Sequence, residues 1–230
     1  MLVVRQLDGG FMMKKTIPFM ALLLVVALAI PAFGQASRID YYGYAWETGG
    51  FPPSEPGDVM VFTGVGDYAD PIFGVNLAVE EVTFYIYDLV SSGAMDIGGG
   101  NMMISFMGGM LEIYRDAAMN ADWGIAPPNP TSPSTFMDGS LFFQGAFNSL
   151  TMFITPDGGG SFEGTLDGLG GSMIDDVCTG CVYTWGGSFS DPSGAQIPDG
   201  YDLQVDGVFE IEQSVPTEEA SWGSVKALYN

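Results

Sequence analysis

From residue 201 to 212 the chain alternates with a period of two. Tyr201, Leu203, Val205, Gly207, Phe209 and Ile211 fall on one side, and Asp202, Gln204, Asp206, Val208, Glu210 and Glu212 on the other. Successive strand side chains point to opposite faces, so such a segment can only be a strand with one dry face and one acidic, wetted face. The same period recurs in residues 38–47 (RIDYYGYAWE), which puts Tyr42, Tyr44 and Trp46 on one face. In residues 81–90 it sends Val82, Phe84 and Ile86 toward a core and Glu81, Thr83, Tyr85 and Tyr87 outward. Further strands are expected at 58–65, 101–107 and 110–115, the last two turned by Gly108-Gly109. Residues 140–146 and 150–155 read as a pair around Asn148-Ser149, followed by strands at 161–166 and 181–189. Asp-Gly steps at 138–139, 157–158, 167–168 and 199–200 fit hairpin turns. Nine or ten strands at this spacing predict an all-β fold, a single antiparallel β-sandwich over residues 37–213.

Two stretches break the alternation. Residues 116–138 hold four prolines and form a long loop, of a kind that is either functional or crosses between sheets. Residues 214–230 read as a Pro-containing linker and a short C-terminal amphipathic helix with Ser221 as N-cap; Trp222, Val225, Leu228 and Tyr229 share one helical face. That tail is a candidate docking or sorting element through Trp222, Leu228 and Tyr229.

The first 36 residues read as a secretory signal behind a short upstream extension. Lys14 and Lys15 precede a run of 12 apolar residues at 19–30 (FMALLLVVALAI), which Pro31 ends. Small residues then offer cleavage after Gly34 or Ala36. The expected location is periplasmic, cell-surface or extracellular. The run is too short to span a bilayer as a helix, and no later stretch could. An outer-membrane barrel is disfavoured, because segregated lipid-facing bands are not evident and the C-terminal tail reads as a helix.

Charge and composition exclude several functions. Past residue 36, three basic residues (Arg38, Arg115, Lys226) face 27 acidic ones, a net −24. Such a surface repels phosphate backbones, so nucleic acid is not an expected partner. The sequence has no histidine, which removes Ser–His–Asp and Cys–His catalysis and histidine-ligated zinc.

Three candidate sites remain. Cys178 and Cys181 form a CxxC whose expected state outside the cytosol is a small disulfide. Asp116, Asp122 and Asp138 bracket the long loop and could offer oxygen ligands to calcium, although no DxDxDG spacing is present. Trp123 in the loop, with Tyr85 and Tyr87 on an outward face, could stack on a glycan.

The segments NADWGIAPPNPTSPSTFMDG, YTWGGSF, GAQIPDGYDLQVDGVFEI and SWGSVKALYN resemble a set of uncharacterised exported bacterial β proteins that end in a Trp-Gly…Lys-x-Leu-Tyr tail. The resemblance implies export and a shared β body, and no activity. Together these features point to an exported, non-catalytic β-sandwich serving as a binding or structural surface component, with calcium as a possible stabiliser. Its partners would be a glycan or a cell-surface or secretion component engaged through the tail. The alternative is a secreted carbohydrate-active enzyme using paired carboxylates.

Overall fold

The computed structural model describes residues 36–176, 181–190 and 198–212. The expectations placed on residues 1–35, Cys178 and the 213–230 tail lie outside them. The described chain is nearly all antiparallel β. The strands are β1 (Ser37–Glu47), β2 (Val59–Ala69), β3 (Glu81–Ser91), β4 (Met95–Gly98), β5 (Asn101–Met107), β6 (Met110–Asp116), β7 (Ser140–Ile154), β8 (Gly160–Gly170), β9 (Val182–Ser190) and β10 (Leu203–Glu212). A five-residue helix, α1 (Ser172–Asp176), joins β8 to β9.

The sheet is not a sandwich. Its order is β2-β1-β10-β9-β8-β7-β6-β3, and β2 pairs with β3, so eight strands close into an up-and-down barrel with β4 and β5 as additions. The all-β, antiparallel expectation holds and the sandwich expectation is corrected. Both architectures need the same two-residue alternation. They differ only in whether the terminal strands find partners, and here β1 pairs with both β10 and β2. Closure removes the edges that a sandwich would have to protect.

Three expected turns are also corrected, of which Asp167-Gly168 lies inside β8, paired with Ala146 and Gly145. Gly108-Gly109 does not reverse the chain. Val90 pairs with Met107 and Tyr87 with Met110, while Phe106 pairs with Leu150 and Met110 with Ala146. β5 and β6 therefore run in one register between β3 and β7, as a single strand broken by two glycines with φ of +68° and +93°. Asn148-Ser149 is likewise no turn. It lies within the 15-residue β7, where the register against β8 slips between Phe147 and Ser149, as a bulge does.

Eight strands leave an interior just wide enough to be filled by side chains. Trp185 sits at its centre. Its ring lies parallel to Tyr41 at 5.5 Å and meets Phe162 at 4.3 Å, Phe62 at 5.5 Å and Phe147 at 6.0 Å. Rings this large fit because inward glycines lie opposite them. Gly207 pairs with Tyr41, and Gly187 with Phe162. A Cβ on Gly207 would come within 2.6 Å of the Tyr41 hydroxyl and closer still to the Gly186 carbonyl. Gly207→Ala is expected to destabilise the barrel by roughly 1–3 kcal/mol, because backbone and ring must both shift to admit the methyl. Thermal unfolding checks it, and an unchanged midpoint would mean that the interior is looser than these distances.

The wall is apolar inside and polar outside. Phe162 and Leu166 on β8 are buried, while Ser161, Glu163 and Asp167 are exposed. A barrel with its strands in lipid has the reverse polarity. Phe73 and Met173, both buried, close one end. The β1–β2 connection, residues 48–58, closes the other, with Phe51 packed edge-on against Phe189.

Candidate functional site

Residues 117–139, the long connection from β6 to β7, lie against the outside of the barrel. The Trp123 ring packs on Tyr42, Tyr44 and Phe136, and its indole N–H donates to the Thr63 carbonyl at 3.2 Å. Thr83 Oγ1 donates to the Phe136 carbonyl, and the backbone N–H groups of Asn120 and Ala121 both donate to Glu81 Oε1. Asn129 ties the loop to itself, donating to the Trp123 carbonyl and accepting from the N–H groups of Thr131 and Ser132. Tyr201 fastens it to the approach to β10, its hydroxyl donating to the Trp123 carbonyl at 2.6 Å.

Trp123 is therefore committed to holding the loop, and the structure does not bring it together with Tyr85 and Tyr87. Those two rings stack on each other at 4.9 Å and 21°, so each covers one face of the other and no flat aromatic row is presented. Their neighbourhood centres on Glu112, a buried carboxylate on the outer wall. Glu112 accepts from Tyr87 (3.1 Å), Gln144 (2.8 Å) and Tyr114 (2.6 Å). Burial, then the Glu112 charge and its hydrogen bond, push the Tyr87 phenol up to about 12.

The three carboxylates expected to offer ligands to calcium are not brought together. Asp116 and Asp138 line an open depression of about 560 Å³ with Glu80, Arg115 and Ser140, but Asp122 is not part of it. Asp122 instead accepts from the Gly124 N–H within the loop. Asn120 donates to Asp138, and Arg115 is spent on a two-point pair with Glu80. Among the described residues no three Asp, Glu, His or Cys side chains come together in a way that could hold a metal ion. Cys181 starts the approach to β9, and no cysteine among the described residues is free; its expected partner Cys178 lies outside them.

The arrangement with the most chemistry was not anticipated. It lies where residues 48–58 close the barrel. Ile39, Tyr41, Gly43 and Ala45 turn inward at two-residue spacing, and the next position in that row is Glu47. The row therefore delivers a carboxyl group to the rim of an apolar interior. Glu47 is 5% exposed, and Ser54 and Ser91 are each 2% exposed. Ser54 Oγ donates to Glu47 Oε1 at 2.6 Å, lies 2.6 Å from Ser91 Oγ, and Ser91 Oγ accepts from the Gly93 N–H at 2.9 Å. Glu47 Oε2 is buried with no hydrogen-bond partner among the described residues. A second carboxylate adjoins: Asp202 Oδ2 accepts from the Glu47 backbone N–H at 2.8 Å.

Burial pushes the Glu47 carboxyl up to about 7, opposed by the Ser54 hydrogen bond and reinforced by the charges of Asp58 and Asp202. Burial also raises Asp202, against backbone hydrogen bonds from Glu47 and Phe51 that favour its ionised form. A carboxyl group brought to neutrality inside a barrel is able both to give and to take a proton at physiological pH. Parity was the signal in the sequence: Glu47 shares it with Ile39, Tyr41 and Ala45, an acid in a row of core residues. Ser54 and Ser91 carried no such mark.

No protein-family model matches the chain, and no curated protein matches it. Solved structures that it matches include the Diels Alderase AbmU from Streptomyces koyangensis, at 13% identity and a TM-score of 0.32, over 94% of this chain and 91% of that one. A second is described as a nonspecific heme-binding cyclase that catalyses a cycloaddition during neoabyssomicin biosynthesis, also at 13% identity and 0.32, over 96% and 91%. A likeness this weak transfers neither activity nor ligand. The β-sandwich expected of a non-catalytic binding or structural component is corrected, because the sheet is a closed barrel.

Proposed function

We propose that this chain is an exported acid–base catalyst acting on an uncharged substrate, with Glu47 as the group that delivers and recovers the proton. The observation that carries the reading is the Glu47 carboxyl, buried at the barrel end with one oxygen unpartnered. Leaving a buried polar atom unpaired costs about 1–3 kcal/mol, an expense typical of working sites rather than of cores. The net charge of −22 disfavours anionic substrates. Export rests on the basic start and apolar run of residues 14–30.

Glycosides are the first substrate class to test, because their hydrolysis uses two carboxyl groups in opposite protonation states. Glu47 and Asp202 adjoin and are both raised by burial, Glu47 up to about 7, while two backbone N–H groups oppose the rise at Asp202. The test is a panel of uncharged chromogenic glycosides assayed from pH 5 to 9 with the wild-type chain and with Glu47→Gln. Turnover by the wild type that falls about 10²–10⁴-fold in the variant supports the reading, that being the usual worth of a general acid or base. Turnover equal in both, or none on any member of the panel, overturns it.

A further inference from the structure

Resting on that reading of Glu47, we infer that Ser54 and Ser91 are positioning residues: a one-way chain of hydroxyl protons holds Glu47 Oε1 as an acceptor and leaves Oε2 as the oxygen that carries the transferable proton. Each serine hydroxyl has one proton to give. Three contacts are fixed: Gly93 N–H to Ser91 Oγ, Ser91 Oγ to Ser54 Oγ, and Ser54 Oγ to Glu47 Oε1. If Ser54 donates to Glu47, its proton is used, and Ser91 must donate to Ser54. Every hydroxyl proton then has an acceptor.

The reverse order fails. A proton on Oε1 would make Glu47 the donor to Ser54, and Ser54 the donor to Ser91. The proton on Ser91 would then have no acceptor among the described residues, because Gly93 meets Ser91 with a further donor. The protonated form of Glu47 therefore carries its hydrogen on Oε2, the oxygen without a partner. When that proton passes to a substrate, Glu47 becomes a carboxylate and Oε1 keeps the Ser54 bond, so the positioning group need not rearrange.

The three residues come from three elements. Glu47 ends β1, Ser91 ends β3, and Ser54 belongs to the closing loop. The loop is set by main-chain bonds around the chain of hydroxyls. Gly57 N donates to the Ser91 carbonyl, Ser91 N to the Asp58 carbonyl, and Ala94 N to the Ser54 carbonyl. Closure of the loop thus places the hydroxyl that sets the acid. The charged groups facing Glu47 are Asp58, on the loop side, and Asp202, at the approach to β10. Both favour the protonated form, so the Ser54 bond is the feature that favours ionisation.

The test follows the Glu47 side-chain carboxyl carbon by NMR against pH in the full chain. Ser54→Ala is expected to raise the Glu47 midpoint by about one unit or more, the effect of losing one hydrogen bond to a charged group. Ser91→Ala should raise it less, because Ser54 still donates. Ser54→Thr keeps the hydroxyl and should return the midpoint to the wild-type value. A wild-type midpoint near neutrality that Ser54→Ala leaves in place, or that Ser54→Thr displaces as far as Ala does, overturns the relay alone. A wild-type midpoint in the ordinary carboxylate range overturns the acid–base reading together with it.

Discussion

Replacing Glu47 by Gln is expected to flatten the fall in stability between pH 4.5 and 7 and to make the variant more stable than the wild type at pH 8. Folded Glu47 keeps its proton up to about 7, whereas the unfolded chain releases it near 4.5. Between those values the folded state binds more protons, so its stability declines as pH rises. The contribution is complete below 4.5 and is lost as pH passes through 7. One unit of pKa difference corresponds to 1.36 kcal/mol, so this group alone accounts for about 3 kcal/mol. Gln has the shape of the protonated acid and can still accept from Ser54, so it should be near neutral at pH 4 and stabilising by a similar amount at pH 8.

Other groups tilt the wild-type curve. Burial raises Asp40, Glu81 and Asp202, in the same direction as Glu47. Hydrogen bonds lower Asp70, Glu80 and Asp157, whose contributions are lost as pH falls. The difference between the wild-type and Glu47→Gln curves cancels those that do not interact with Glu47, leaving its own titration together with its coupling to Asp202. Urea unfolding of both chains at pH 4, 6 and 8 measures it. Parallel curves would mean that Glu47 is ionised in the fold at pH 6, contrary to the site described here.

Trp185→Ala is expected to cost about 3–5 kcal/mol, the usual range for emptying a large aromatic site in a core. Four rings surround this indole: Tyr41, Phe62, Phe147 and Phe162. They come from β1, β2, β7 and β8, so the cavity would open on both sides of the barrel. Collapse is restrained because the strands are fixed by pairing on both edges, and a site that cannot collapse loses the most. The urea midpoint should fall at an unchanged slope. A loss below about 1 kcal/mol would show that the central stack does not organise the interior.

The parity of the strands was legible in the sequence. Val82, Phe84 and Ile86 are buried, and Leu203, Val205, Phe209 and Ile211 line the interior as alternation required. Closure was not legible, because the alternation in residues 38–47 and 201–212 is the same whether those strands pair with each other or face across a sandwich. The pairing of Tyr41 with Gly207 decides it, and that is a matter of fit between a ring and a glycine in different parts of the chain. Gly108-Gly109 misled because two glycines permit a reversal as readily as a break in an extended strand. Of the expected glycan triad, Tyr85 and Tyr87 do face outward, but local spacing could not show that they stack on each other or that Trp123 would be drawn under its own loop. The Glu47 site was half written: parity marks the acid as inward, but Ser54, which bonds it, and Ser91, which bonds Ser54, stand 7 and 44 positions further on.

The most direct measurement is the pH titration of the Glu47 carboxyl carbon by NMR in the wild-type chain, with Glu47→Gln identifying the resonance. A midpoint about 7 is expected from a buried carboxyl with one unpartnered oxygen and two acidic neighbours. A midpoint near 4.5 would show the group open to water, and would contradict its role as an acid at neutral pH.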